Sequence, residues 1–233
     1  MDLKETDILG DSIGEHWYYR SKAAATRRLL GEAPIKRILD VGAGSGFFSH
    51  HLLTHTAARE AWCVDISYPA DSSATTAGKP VHYRRSIDSV DADLVLLMDV
   101  LEHVDDDLGL LKSYVDKVPS GSRFLMTVPA FQFMWSGHDD FLEHKRRYTL
   151  GQFESLTKNA GLAVEKGAYY FGAVFPIAVA SRLIPGGSAP RSQLKKHHPL
   201  VNTLLKTLCR LELPLMGINR LAGLSVFVLA RKP

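Results

Sequence analysis

Short apolar runs and helix-period segments take turns along most of the chain. Residues 37–41, 60–66, 81–85, 92–98, 123–128, 163–170 and 224–231 are short, bounded by Gly, Pro or charged residues, and rich in aliphatic side chains, which predicts seven strands. Between them, 47–56 and 105–118 carry apolar residues at helical spacing, and Thr149 reads as the N-cap of a helix running to Asn159 with Gly161 as its stop. The small residues of 71–79 read as a loop. At the N-terminus a loose arm through Asp11 precedes an Ala/Arg/Leu helix that is headed by His16-Trp17-Tyr18-Tyr19 and ends near Gly31. Strands alternating with helices predict an α/β fold: a Rossmann-like, doubly wound, mostly parallel sheet with helices on both faces. A single domain fills residues 1–233, with 1–35 as an N-terminal helical cap and 171–219 as a helical insertion near the C-terminus.

A fifteen-residue uncharged stretch from Gly167 to Ser181, too short for a membrane span, runs from the sixth strand into the insertion. The insertion continues through Pro185-Gly186-Gly187, the basic run Lys195-Lys196-His197-His198 and a helix over 200–213. A lid, a dimer surface, an interfacial face and a buried cap are all compatible with that pattern.

The segment that organises the rest is Ile38-Leu39-Asp40-Val41-Gly42-Ala43-Gly44-Ser45-Gly46-Phe47-Phe48. A buried strand, a glycine turn and a helix start follow one another, so a ligand can lie against backbone that carries no Cβ. Asp40 before the turn suits a cationic amine better than a pyrophosphate. Phe47 stands where the dinucleotide fingerprint requires Gly or Ala, which disfavours NAD. Asp65, 21 residues after Gly44 and followed by Ile66, has the spacing of a strand-tip carboxylate that meets ribose hydroxyls. Asp99 and Val100 end the fourth strand, beside the first strand at the switch point where ligands of open α/β sheets bind.

These residues resemble motif I of the class I S-adenosylmethionine (SAM)-dependent methyltransferases, hydrophobic-hydrophobic-D-x-G-x-G-x-G. The chain looks like the type 11/12 group and is distantly similar to the ubiquinone-pathway O-methyltransferases. The likeness covers about residues 36–170. It implies SAM as cofactor, S-adenosylhomocysteine as product, and an antiparallel seventh strand. It further implies a cofactor site of Asp40, Gly42, Gly44, Gly46, Asp65, Ile66, Asp88 (near the adenine amino group), Asp99 and Val100. An isolated reading of Asp88 is a helix N-cap.

Residues 129–148 leave the tip of the fifth strand and should overhang the reacting carbon. Methyl transfer to a hydroxyl needs positioning and a proton acceptor, and histidine suits that task near neutral pH. His138 and His144 are the candidate bases, with Asp139 as an orienting group. Arg146 and Arg147 can hold an acceptor's carboxylate or phosphate. Trp17, Tyr18, Trp135 and Tyr148 complete the candidate acceptor site. The phrases Trp-Ser-x-His-Asp and His-x-Arg-Arg-Tyr resemble those of a bacterial branch of the methyltransferases. Asp99-x-x-Glu102-His103 resembles the E-x-x-E-H metal phrase of ubiquinone-pathway and small-RNA methyltransferases, so Mg²⁺ is an alternative, although no metal ligand is assigned.

Composition narrows the partners. Two cysteines, Cys63 and Cys209, form neither a metal spacing nor a disulfide framework, and the N-terminus is polar. No signal peptide and a cytoplasmic location are therefore expected. From Gly167 onward the charge is +8, leaving −5 for the first 166 residues against a total of +3. The basic third allows peripheral membrane contact and association with the membrane; a solvated basic face is the plainer reading. No DNA partner is expected, and oligomeric state is open. The expected function is O-methylation of a small aromatic or hydrophobic acceptor, including a lipid-linked one. The alternatives are a SAM-binding regulatory protein without turnover and an RNA methyltransferase that uses the basic third.

Overall fold

The computed structural model describes residues 10–32, 34–183 and 198–233. The arm over 1–9, Pro185-Gly186-Gly187 and Lys195-Lys196-His197 lie outside the described residues. One eight-stranded sheet runs β3-β4-β2-β1-β5-β6-β8-β7. Its strands are β1 (Arg37–Val41), β2 (Glu60–Val64), β3 (Ser72–Thr76), β4 (Lys79–Arg84), β5 (Leu94–Met98), β6 (Arg123–Pro129), β7 (Ala163–Tyr170) and β8 (Ser225–Arg231). β1, β2, β4, β5 and β6 are parallel, so their C-terminal tips share one edge. β8 is antiparallel to both β6 and β7.

Eight strands replace the expected seven because 72–76 pairs with β4 instead of looping. Ala77 and Gly78 both have positive φ, 51° and 75°. That is the pattern of a tight two-residue hairpin turn, whose twist matches the strands it joins. β3 is an exposed edge strand and so carries no apolar alternation for a sequence pattern to reveal.

Successive strand residues feed opposite cores, as a doubly covered sheet requires. Ile38, Leu94, Leu96 and Leu125 pack with α1 (Trp17–Leu30) and α2 (Phe47–His55). Leu39, Val95, Leu97 and Met126 pack with α3 (Asp107–Asp116) and, beyond the six-residue α4 (Gly137–Leu142), with α5 (Leu150–Asn159). Each such side chain contributes about 1.5–3 kcal/mol on burial. α5 starts where expected: Thr149 and Gln152 form a reciprocal capping box.

Between β7 and β8 stand α6 (Phe175–Leu183), α7 (Pro199–Glu212) and a 3₁₀ turn over Leu213–Ile218. α7 lies against α1. The Asn202 Oδ1 accepts from the Trp17 amide at 2.8 Å, satisfying a free N–H of the first turn of α1. Tyr170 donates its hydroxyl to the Cys209 carbonyl at 3.0 Å, and Glu212 accepts from the amides of Gly172 and Ala173. Among the described residues, no helix is long and apolar enough to cross a membrane.

Candidate active site

The sequence turns sharply after β1 because Gly42, Gly44 and Gly46 all take positive φ. At Gly42 (φ 62°) a Cβ would also come within 2.9 Å of the Val100 side chain, so the loop lies directly on Val100. Its amides are anchored to β2: Gly42 and Ala43 donate to the Val64 carbonyl at 2.8 and 3.2 Å. Gly44 donates to Asp65 Oδ2 at 3.0 Å, and the Ser67 amide donates to Asp65 Oδ1 at 2.9 Å. Burial works against the Asp65 charge, yet these donors more than offset it and hold the carboxyl below its ordinary pKa. Asp40 is buried and accepts from Ser49 Oγ at 2.8 Å. The loop therefore presents a fixed carboxylate on each side.

Beneath the strand tips lies a cavity of about 260 Å³. Asp40, Gly42 and Ala43 form its floor, Trp17, Tyr18 and Tyr19 of α1 one wall, and the tips of β5 and β6 another. Met134, His138, Leu142, His144 and Arg147 close it from the segment after β6, with Ala178 and Arg182 of α6 beside them. Asp65, Ile66 and Asp88 stand outside the enclosed part. Asp65 sits at the tip of β2, and Ile66 is 82% exposed. Asp88 is exposed in the loop after β4, and no helix follows for it to cap.

Around the tip of β5 the charge is arranged in pairs. Asp99, with φ 57°, accepts from Thr127 Oγ1 at 2.9 Å and forms an ion pair with Lys22. Burial opposes the charge on both partners. Their mutual attraction wins, raising the Lys22 pKa and lowering that of Asp99. Glu102 is fully buried and, among the described residues, neither of its carboxyl oxygens has a hydrogen-bond partner. Burial and the neighbouring Asp99 push its pKa well up.

The segment after β6 is held by Asp139, which is fully buried. Asp139 Oδ1 accepts from His144 Nδ1 at 2.8 Å and from Arg147 Nε at 2.7 Å. Its Oδ2 accepts from Arg147 Nη2 at 3.1 Å and from the Ser136 amide at 2.8 Å. Despite burial, these donors keep Asp139 ionised far below the usual carboxylate range. His144 is thereby fixed through one ring nitrogen, with the rest of the ring at the cavity. His138 also lines the cavity, but burial pushes its pKa down to about 4. Burial and His144 push that of His103 down to about 3.

The other expected acceptor residues separate. Trp17, Tyr18 and Arg147 line the cavity, although the Arg147 fork is engaged by Asp139. Arg146 lies outside the lining, paired with Asp107 at 3.1 Å and donating to the Val104 and Asp105 carbonyls. Tyr148 is buried, and its hydroxyl donates to Asp107 at 2.8 Å, with the Leu101 carbonyl 3.3 Å away. The Trp135 indole N–H donates to Asp140 at 3.0 Å, which turns that ring away from the lining. Sequence reasoning missed Lys22 and Arg182. The available signal for Lys22 was a cation four residues from Tyr18, in phase with the helix's apolar face. Arg182 lies just past the uncharged stretch and shows its position only once α6 folds over the cavity.

Glu102, His103 and His144 bring possible ligand atoms within 4.8 Å of one another. One carboxylate with two imidazoles is a poor match to the oxygen shell that Mg²⁺ prefers, so this group gives the Mg²⁺ expectation no support. The same donors suit a borderline transition ion.

No curated protein sequence matches the chain. A family model described as "Methyltransferase domain" matches residues 15–166. Among solved structures, the fold is similar to that in a complex of the Haloferax volcanii Trm112 methyltransferase activator with a protein assigned as a methyltransferase. That match has 15% identity and a TM-score of 0.58, covering 95% of this chain and 92% of that one. An Archaeoglobus fulgidus SAM-dependent methyltransferase is similar over 99% of this chain and 98% of its own, at 18% identity and TM-score 0.54. The mitomycin 7-O-methyltransferase MmcR is similar over 91% of this chain and 54% of its own, at 14% identity and TM-score 0.52. At such identities the likeness carries the fold and not the acceptor.

Proposed function

The chain belongs to the methyltransferase-domain family, and from that premise we propose that it transfers the methyl group of SAM to a hydroxyl of a small aromatic or hydrophobic acceptor, with His144 as the general base. The observation that carries this reading is the His144–Asp139 pair, 2.8 Å apart, at the cavity floored by the glycine loop. SAM supplies a methyl carbon already activated by a positive sulfur, so the protein's task is alignment and proton acceptance.

Each part of the site has a role in that task. Asp65, held by two amides, offers its remaining lone pairs to ribose hydroxyls. Asp40 and the loop backbone receive the amino-acid end. Trp17, Tyr18, Met134 and Leu142 give the acceptor an apolar and aromatic bed. Asp139 sets the His144 tautomer, so the far ring nitrogen can take the hydroxyl proton, as in other carboxylate-oriented histidine bases. His138, neutral over a wide range, lines the pocket as a hydrogen-bonding wall and not as the base.

The test is single-turnover transfer from radiolabelled SAM to a panel of phenols and aliphatic alcohols. His144→Ala should lower the rate by about a hundredfold or more while leaving SAM affinity within about twofold. An unchanged rate removes His144 as base. A second reading is favoured by the orphaned Glu102 carboxyl. Glu102, His103 and His144 would hold a divalent transition ion, which would act as a Lewis acid toward the hydroxyl. Turnover that survives exhaustive chelation unchanged rules it out.

A further inference from the structure

α1 walls a second cavity, of about 520 Å³, between itself, α2 and α7. Trp17 and Tyr18 belong to the first cavity; Arg20, Ala24 and Arg27 of the same helix belong to the second. Lys206 and Arg210 face them from α7, and among the described residues no Asp or Glu lines the space. Among the described residues, none of these four cations forms an ion pair or a side-chain hydrogen bond.

The third wall is aromatic. His51 and His55 of α2 stack with centroids 4.3 Å apart, and Phe47 stacks on His51 at 6.4 Å. The His51 Nε2 is buried and, among the described residues, has no hydrogen-bond partner. Burial pushes its pKa down to about 4, with His55, Arg27 and Arg20 adding to the shift.

Four cations from two elements meeting without a counter-charge repel one another, and the fold gains nothing from that alone. A positive well closed by a buried polar nitrogen and an aromatic column is what an anionic ligand would fill. Arginine forks match the geometry of phosphate oxygens, and lysine adds a point charge. His51 can donate to the same oxygens in its Nε2–H tautomer.

We propose that this cavity binds a ligand bearing a phosphomonoester or diphosphate, seated among Arg20, Arg27, Lys206 and Arg210, with the Phe47–His51–His55 column against its remaining part. The site is separate from the methyl-transfer cavity and does not depend on how that cavity works. The phosphate has two possible sources, a free small molecule or the headgroup of a lipid surface.

Calorimetric titration of inorganic pyrophosphate into the full chain, at ionic strength fixed with chloride, tests the first source. Saturable binding is expected for the wild type and for Arg28→Gln, an exposed α1 arginine outside the cavity. It should weaken tenfold or more in Arg27→Gln/Arg210→Gln and, independently, in Arg20→Gln/Lys206→Gln, with folding of each checked by circular dichroism. Flotation with phosphatidylcholine vesicles, with and without phosphatidic acid, tests the second source. Capture that requires phosphatidic acid and is lost in both double variants supports a lipid-borne phosphate. No binding in either arm, or equal binding by wild type and folded double variants in both, overturns the proposal.

Discussion

The tips of β1 and β6 close the same cavity with opposite materials. At β1 the work is done by backbone: three left-handed glycines, amides tied to β2, and the Gly42 Cα resting on Val100. At β6 it is done by side chains, with one buried carboxylate gathering His144, Arg147 and the Ser136 amide. A backbone device tolerates almost no change at its glycines but is indifferent to what surrounds it. A side-chain device can be retuned residue by residue, yet it fails as a unit when its hub is removed. Under the proposed function, the first would hold the cofactor that every turnover shares, and the second would face the acceptor.

The largest expected effect falls on the hub. Asp139→Asn leaves Arg147 buried without its counter-charge and frees the ring of His144. Stability should fall by about 3–5 kcal/mol in urea denaturation, the usual cost of breaking a buried pair. Methyl transfer should fall by about a hundredfold in whatever fraction stays folded. A variant as stable as the wild type would show that the side-chain device is not cooperative.

Next comes the backbone device. Gly42→Ala forces a Cβ onto Val100 at a φ of 62°. The left-handed conformation alone costs about 1–2 kcal/mol. SAM affinity should drop about tenfold, whereas the His144–Asp139 pair stays intact. If instead SAM binding persists and only acceptor turnover falls, the two ends of the cavity do not divide their labour as described.

A further effect concerns pH. His138 has a folded pKa of about 4 against an ordinary value of 6.5. Below pH 6.5 the unfolded chain takes up a proton that the folded chain refuses, so this contribution to stability is complete above pH 6.5. It is lost progressively as pH falls toward 4 and changes little below that. The stability difference between wild type and His138→Gln should therefore shift by about 2 kcal/mol between pH 7 and pH 5, against the wild type. A difference independent of pH would mean that His138 titrates as if exposed.

The division also explains what could be read without coordinates. The parallel core is written in local pattern, since strand 94–98 is a continuous apolar run, strand 37–41 is aliphatic but for Arg37 and Asp40, and the glycines between β1 and α2 state their own conformation. The Thr149 cap and the helix behind it follow from adjacent residues for the same reason. β3 was hidden because an exposed edge strand of Ser, Ala and Thr has no buried face to imprint a period. In the acceptor segment the residue types were legible but their partners were not. His138 and His144 read as equals in the sequence, whereas the fold ties the His144 ring to Asp139; Arg146 and Arg147 part likewise, one toward Asp107 and the other toward Asp139. Lys22 meets Asp99 across 77 residues, and such pairings are set by topology and not by spacing.

The central claim is that the glycine loop and the Asp65 carboxylate together hold SAM. Calorimetric titration of SAM into the wild type and into Asp65→Ala tests it directly. Saturable binding by the wild type, weakened tenfold or more in the variant (about 1.4 kcal/mol), is the expected result. A folded wild type that takes up no SAM, or a variant that binds it equally well, would contradict the claim.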